Sequence, residues 1–223
     1  MWLNSPMDIQ EQGSEAITTR ERLLETAARL FAERGKDGVS IRDIAAEAGV
    51  RHGGINYHFR SKDELYNEAL MRFGPAAVQT VLTQELPTGL SPEAAKSVFT
   101  KMIRELVKVE VQQLDPIAAG LFRAEISNPE GPNDFLVENL IRPHHSGLAN
   151  LIGQMFPEIV SERERAIAAF NVMSQCVFLR VARPVALKLF GVEDFDSDLT
   201  ELFANRIIET VMNGLGSVVE KPA

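Results

Sequence analysis

The sequence predicts an all-α protein in two unequal parts, a small N-terminal helical bundle followed by a larger helical domain. Three observations predict this. Apolar residues recur at helical spacing through most of the chain, no stretch of useful length alternates apolar and polar residues as a strand would, and 45% hydrophobic content is ample for packed cores. Charge divides the chain as well. Residues 17–62 hold nine Lys and Arg against six Asp and Glu, a net of +3, so with −8 for the whole chain the remainder carries −11. Partners respond to local rather than total charge, so a mildly basic segment ahead of an acidic remainder implies two roles. The expected units are a polar arm over residues 1–16, the bundle over 17–62 and the helical domain over 63–223.

The elements follow in order. Leu23, Leu24, Ala27, Leu30 and Phe31 line one face of a helix from Thr18 to Arg34. Thr18 and Glu21 form a capping box at its start, and Gly35 stops it. Ser40 is a good N-cap for a short second helix through Ala48, with Ile41, Ile44, Ala45 and Ala48 inward and Gly49 ending it. Val50 begins a tight turn into a third short helix over residues 51–58. Ser61 and Glu64 form a further capping box, opening a helix that ends at Gly74-Pro75. Helices are then expected over residues 75–85, 92–114, 116–127, 134–155, 162–190 and 198–215. Pro116, Pro129, Pro132 and Pro157 mark breaks, whereas Pro143 and Pro184 kink their helices. On the last helix Leu199, Leu202, Phe203, Ile207, Val211 and Leu215 form an apolar stripe, either the protomer's own core or a pairing face for a second copy.

Several function classes are excluded at this level. No apolar run reaches the roughly 18–20 residues that cross a bilayer, so no membrane partner is expected. Met1 to Ala16 lacks the basic start and apolar middle of a secretory signal. The single cysteine, Cys176, permits no internal disulfide and no cysteine-based zinc site, and it fits a cytoplasmic protein. Lying among Val172, Val177 and Leu179, it reads as a buried, inert thiol. His144 and His145 are adjacent on a helix and diverge by about 100°, which argues against a metal site. Neither a phosphate-binding glycine loop nor a nucleophile motif is present, so the chain reads as a non-enzyme without a cofactor.

The informative stretch is residues 40–62, SIRDIAAEAGVRHGGINYHFRSK. A helix-turn-helix needs two short helices held at a steep angle by a tight turn. Ala45 and Ala48 are small where the helices cross, Gly49 suits the turn, and Val50 and Ile55 plug the wedge. Phe59 and Leu65 seat the next helix. These are packing requirements that a plain three-helix bundle would share, and the polar residues separate the two. Arg51, His52, Gly53, Gly54 and Asn56 lie on the outward face of the third helix. Two helical glycines cost roughly 1 kcal/mol each against alanine, which makes sense where the backbone must approach a groove floor or a phosphate. Arginine pairs bidentately with guanine and asparagine with adenine, which suits Arg51 and Asn56. Arg42 reaches a base edge or a phosphate from the preceding helix. Tyr57, His58 and Lys62, with Thr18 and Thr19 at the head of the first helix, suit phosphates. Adjacent Tyr57 and His58 do not both point into a core, whereas Lys62 also fits a plain solvated charge.

Ser40-Ile41-Arg42-Asp43-Ile44-Ala45, Ala48-Gly49-Val50, and Asn56-Tyr57-His58-Phe59 with Ser61-Lys62-Asp63-Glu64-Leu65 resemble the signature of the TetR/AcrR family of regulators. The spacing back to Leu24, Ala27, Phe31 and Gly35 agrees. Farther on, Phe122-Arg123-Ala124-Glu125 with Asn128-Pro129, Ile141-Arg142-Pro143, and Gln175-Cys176-Val177-Phe178 with Ala182-Arg183 resemble its CecR-like branch. The resemblance implies a homodimer that reads palindromic double-stranded DNA and is released by a small-molecule effector. It implies base reading by Arg42, Arg51, His52, Gly53 and Asn56, and phosphate contacts from Thr19, Tyr57, His58 and Lys62. Its last two long helices would pair with their twins in a four-helix bundle. Phe122, Glu125, His145, Met173, Phe178 and Arg180 are candidate liners of the effector pocket, against the plainer reading of core residues and paired surface charges. The opposing functional reading is a helical interaction module or ligand carrier without DNA binding. The intact cluster of Arg42, Arg51, Tyr57 and Lys62 argues against it.

Overall fold

A computed structural model describes residues 18–51, 57–74, 86–159 and 161–216, and no strand occurs among them. Helix α1 (Thr19–Arg34) opens on the expected capping box: Thr18 Oγ1 accepts from the Glu21 N–H, and the Glu21 carboxylate accepts from the Thr18 N–H. Helix α2 (Ile41–Glu47) has the same device, built by Ser40 and Asp43. Gly49 then takes φ +65°, a left-handed value that favours glycine, and Val50 bonds back to the Ala45 carbonyl to close the turn. Of the expected third helix, Tyr57 and His58 are described and helical. Helix α3 (Lys62–Phe73) is capped by Ser61, but only in one direction. The Glu64 carboxylate accepts from the Arg60 N–H rather than from Ser61, so the expected reciprocal box is half made.

Leu23, Leu24, Phe31, Ile44, Phe59 and Leu65 are among the side chains of a first core, which α3 completes with Tyr66, Ala69 and Leu70. The second core joins α4 (Pro92–Glu110), α6 (residues 134–155), α7 (Glu162–Val181) and α9 (Ser197–Gly216) around Phe99, Ile103, Leu151, Ile152 and Val172. Full burial of each such side chain stabilises by about 1.5–3 kcal/mol. Helix α5 (Pro116–Ile126) packs on α1 and α3 and gives Leu121 to the first core. Helix α6 runs as Asp134–Leu136, a π-helical turn Val137–Ile141 and Arg142–Met155. The Arg142 N–H bonds five residues back, to Val137, and this register shift accommodates Pro143, which has no N–H.

Two expected helices are corrected. The helix over residues 92–114 ends at Glu110, where Arg180 and Arg183 take up the carbonyls of Val109, Val111 and Gln112. The helix over residues 162–190 is broken rather than kinked: α7 ends at Val181, and α8 (Arg183–Phe190) starts beyond Ala182 with Pro184 in its first turn. That position tolerates a missing donor. The residue 75–85 helix falls outside the described residues. On α9, Ile207 and Val211 are buried in the protomer's own core with Phe203 and Leu215 packed against it, while Leu202 stays exposed. Among the described residues no helix is long and apolar enough to cross a membrane.

Candidate nucleic-acid interface

The N-cap at Ser40 fixes the start of α2 and sets Arg42 in its first turn, exposed. Across the Gly49 turn Arg51 is exposed too, and Tyr57 stands 86% exposed with its ring edge-on to His58 at 5.0 Å. Thr19 is half-buried at the head of α1. His52, Gly53 and Asn56 lie outside the described residues.

Ion pairing decides which cations are free. Arg20 pairs with Glu68 at 2.6 Å, Arg29 with Glu47 at 2.7 Å, and Lys36 with Asp63 at 2.9 Å. Arg42 and Arg51 make no side-chain hydrogen bond or ion pair to any described residue. Asp43, beside Arg42, is committed to its helix: hydrogen bonds from the Ser40 hydroxyl and N–H hold its carboxyl below the usual range. Lys62 is placed differently. Its ammonium donates to the Lys36 and Val39 carbonyls at 3.0 and 3.2 Å and so ties the α1–α2 connection to α3. One of its three N–H donors remains.

The six candidate pocket residues do not converge. Glu125 is buried, with one carboxylate oxygen accepting from the Tyr66 hydroxyl and the other from the Asn133 N–H. Arg180 is buried against Glu110 at 2.6 Å. His145 Nε2 donates to the Ala166 carbonyl at 2.8 Å, Met173 packs against the second core, and Phe122 is half-buried on α5. Phe178 points out, 63% exposed. Arg180 alone of the six borders a cleft of about 300 Å³, shared with Arg72, Val109, Gln112 and Asp115. Burial, with a smaller contribution from the Glu110 charge, pushes the Cys176 thiol up to about 12, so it is a protonated core residue at neutral pH.

The partners of Tyr66 and Arg183 were not legible in the sequence. Burial, then the hydrogen bond and charge of Glu125, push the Tyr66 hydroxyl far up and keep it a donor. Its signal in the sequence is a tyrosine on an inward helix face, since a buried hydroxyl needs a partner. Arg183 bonds to the Val111 carbonyl and Asp194, anchoring the start of α8.

Two family profiles match the chain. "Bacterial regulatory proteins, tetR family" covers residues 23–69, and "HTH-type transcriptional dual regulator CecR, C-terminal domain" covers residues 95–215. The chain is 29% identical over 132 residues to the Escherichia coli (strain K12) protein named probable acrEF/envCD operon repressor, covering 58% of this chain and 56% of that one. The chain thus spans little more than half the length of this relative. The HTH-type transcriptional dual regulator CecR of Shigella flexneri is 23% identical over 209 residues, covering 88% and 92% of the two chains. Among solved structures, a transcriptional regulator from Rhodococcus sp. Rha1 shares the fold with a TM-score of 0.54 at 21% identity, covering 88% of this chain and 97% of its own.

Proposed function

The chain belongs to the TetR family of bacterial regulatory proteins, and from that membership we propose that it is a DNA-binding transcriptional repressor, homodimeric and released from its operator by a small-molecule effector. The observation that carries this reading is the contrast in charge pairing on the first bundle. Arg20, Arg29 and Lys36 are neutralised by acids, while among the described residues Arg42 and Arg51 are exposed and unpaired, and Tyr57 protrudes. Arg42, Arg51, His52, Gly53 and Asn56 read bases in this proposal. Tyr57, His58, the free donor of Lys62 and the α1 terminus at Thr19 hold phosphates.

An exposed apolar row supports the dimer. Ile167, Phe170, Phe178 and Val181 on α7 continue into Val185 and Leu189 on α8, with Leu202 of α9 also exposed. Intervals of three, eight and three residues along α7 keep these side chains on one helix face, which suits pairing with a second copy. Two-fold symmetry then sets the two readers in successive major grooves, about 34–36 Å apart. An effector in the C-terminal domain that binds a mis-spaced dimer better by ~2.8 kcal/mol lowers DNA occupancy ~100-fold.

The test is selection of random duplex DNA on the purified protein at two salt concentrations. The expected result is an enriched palindrome whose log affinity falls linearly with log salt, with a slope of about −0.9 per phosphate neutralised. No enrichment at either salt, from a folded dimer, overturns the reading in favour of an interaction module.

A further inference from the structure

The first bundle meets the rest of the chain where α5 ends and α6, whose far half lines the second core, begins. Leu121 of α5 is fully buried in the first core. Beside it Gly120 lies so near α1 that a Cβ there would sit 2.5 Å from the Ala32 carbonyl oxygen. This close approach is one attachment. The other lies five residues on, about 7.5 Å along the helix at 1.5 Å per residue. There Glu125, 6% exposed, accepts from the Tyr66 hydroxyl of α3 at 2.5 Å and from the Asn133 N–H at 2.7 Å. Asn133 in turn donates from its side chain to Asn67 Oδ1 of α3 at 3.0 Å.

The attachments differ physically. The Gly120–Ala32 contact is steric and, with Leu121, seats α5 on the first core. The Glu125 carboxylate is buried, and losing either donor leaves one of its oxygens without a partner. Hydrogen bonds of this kind demand both distance and direction, so the second attachment fixes the start of α6 against α3. Helix α6 carries that orientation into the second core.

We infer that Tyr66 and Glu125 are positioning residues, whose hydrogen bond holds the DNA-reading unit at a set angle to the dimer-forming helices and so selects the half-site spacing the dimer accepts. This rests on the regulator reading above. Neither residue touches DNA in this account; both act through α3, α5 and the bundle they orient.

The experiment compares the parent full-length protein with Tyr66→Phe on three sets of duplexes: the selected palindrome, the same palindrome lengthened or shortened by one central base pair, and a single half-site. One base pair displaces a half-site by about 3.4 Å and about a tenth of a turn. The parent is expected to prefer its own spacing by about tenfold or more, and Tyr66→Phe by about threefold or less, with half-site affinity within about twofold of the parent. A merely stabilising role would lower the melting temperature and leave the ratio between spacings unchanged. An unchanged ratio in folded Tyr66→Phe overturns the inference and leaves the regulator reading standing. A parent that binds none of the duplexes overturns both. Where Tyr66→Phe loses helicity, Glu125→Gln carries the same comparison, because its amide keeps one acceptor oxygen and loses the other.

Discussion

Arg51 and Tyr57 stand away from the protein, while Glu125 and Arg180 are sunk into it, and this difference governs what their removal does. Arg51→Ala is expected to leave the melting temperature unchanged and to weaken operator binding by about 1–3 kcal/mol, relaxing preference at one base pair. Tyr57→Ala should weaken binding to all sequences alike, as a lost phosphate contact does. Fluorescence anisotropy on matched and single-mismatch duplexes separates the two patterns. Arg180→Met strands the Glu110 carboxylate, which should cost about 3–5 kcal/mol at neutral pH. Burial already raises the Glu110 carboxyl while Arg180 opposes it, so the variant's folded state should bind a proton well above the unfolded range near 4.3. Its stability is therefore expected to recover as pH falls through that raised value and to be lost again as pH rises. Thermal melts of parent and variant across that window check the sign. The pairings themselves were beyond sequence reasoning, since Tyr66–Glu125 spans 59 residues and Glu110–Arg180 spans 70. An isolated charge in an apolar helix announces that a partner exists without naming it.

Helix starts were the most legible elements, because a cap is settled within four residues. Thr18–Glu21 and Ser40–Asp43 close as reciprocal boxes. Ser61 shows the limit of local reasoning, since Glu64 turned to the neighbouring Arg60 N–H. Helix ends and proline sites were less legible. Pro143 and Pro184 present the same missing donor, yet one follows a π-turn and the other sits past a break. What separates them is tertiary: Arg183 is held by Val111 and Asp194, which gives the chain a reason to restart there. At this scale Gly120 makes a sharp prediction. Gly120→Ala would drive a methyl into the Ala32 backbone, and α1 and α5 have little room to part. An overpacking cost of about 1–3 kcal/mol is expected, read as a lower urea midpoint at unchanged m-value.

For the molecule as a whole, the uneven charge along the sequence foreshadowed a basic reading end and an acidic body. Ion pairing then takes up three of the nine cations, Arg20, Arg29 and Lys36, which no residue count reveals. The pairing face was less legible. The regular stripe on α9 turned largely inward, while most of the large apolar residues left outside are on α7 and α8, whose periodicity looks no different in sequence. A helix with apolar residues on two faces conceals which face its own protomer covers. Phe178→Glu is expected to yield a helical monomer by light scattering, with half-site binding retained and palindrome affinity lost. The place of Leu121 in the first core bears on how freely such a reader can be moved between proteins. A transplant of the bundle alone, cut after α3, would carry an open socket where Leu121 belongs. Chimaeric regulators made from this chain should therefore splice after α5, or supply a matching leucine from the recipient, so that the unit of exchange is larger than the unit that reads.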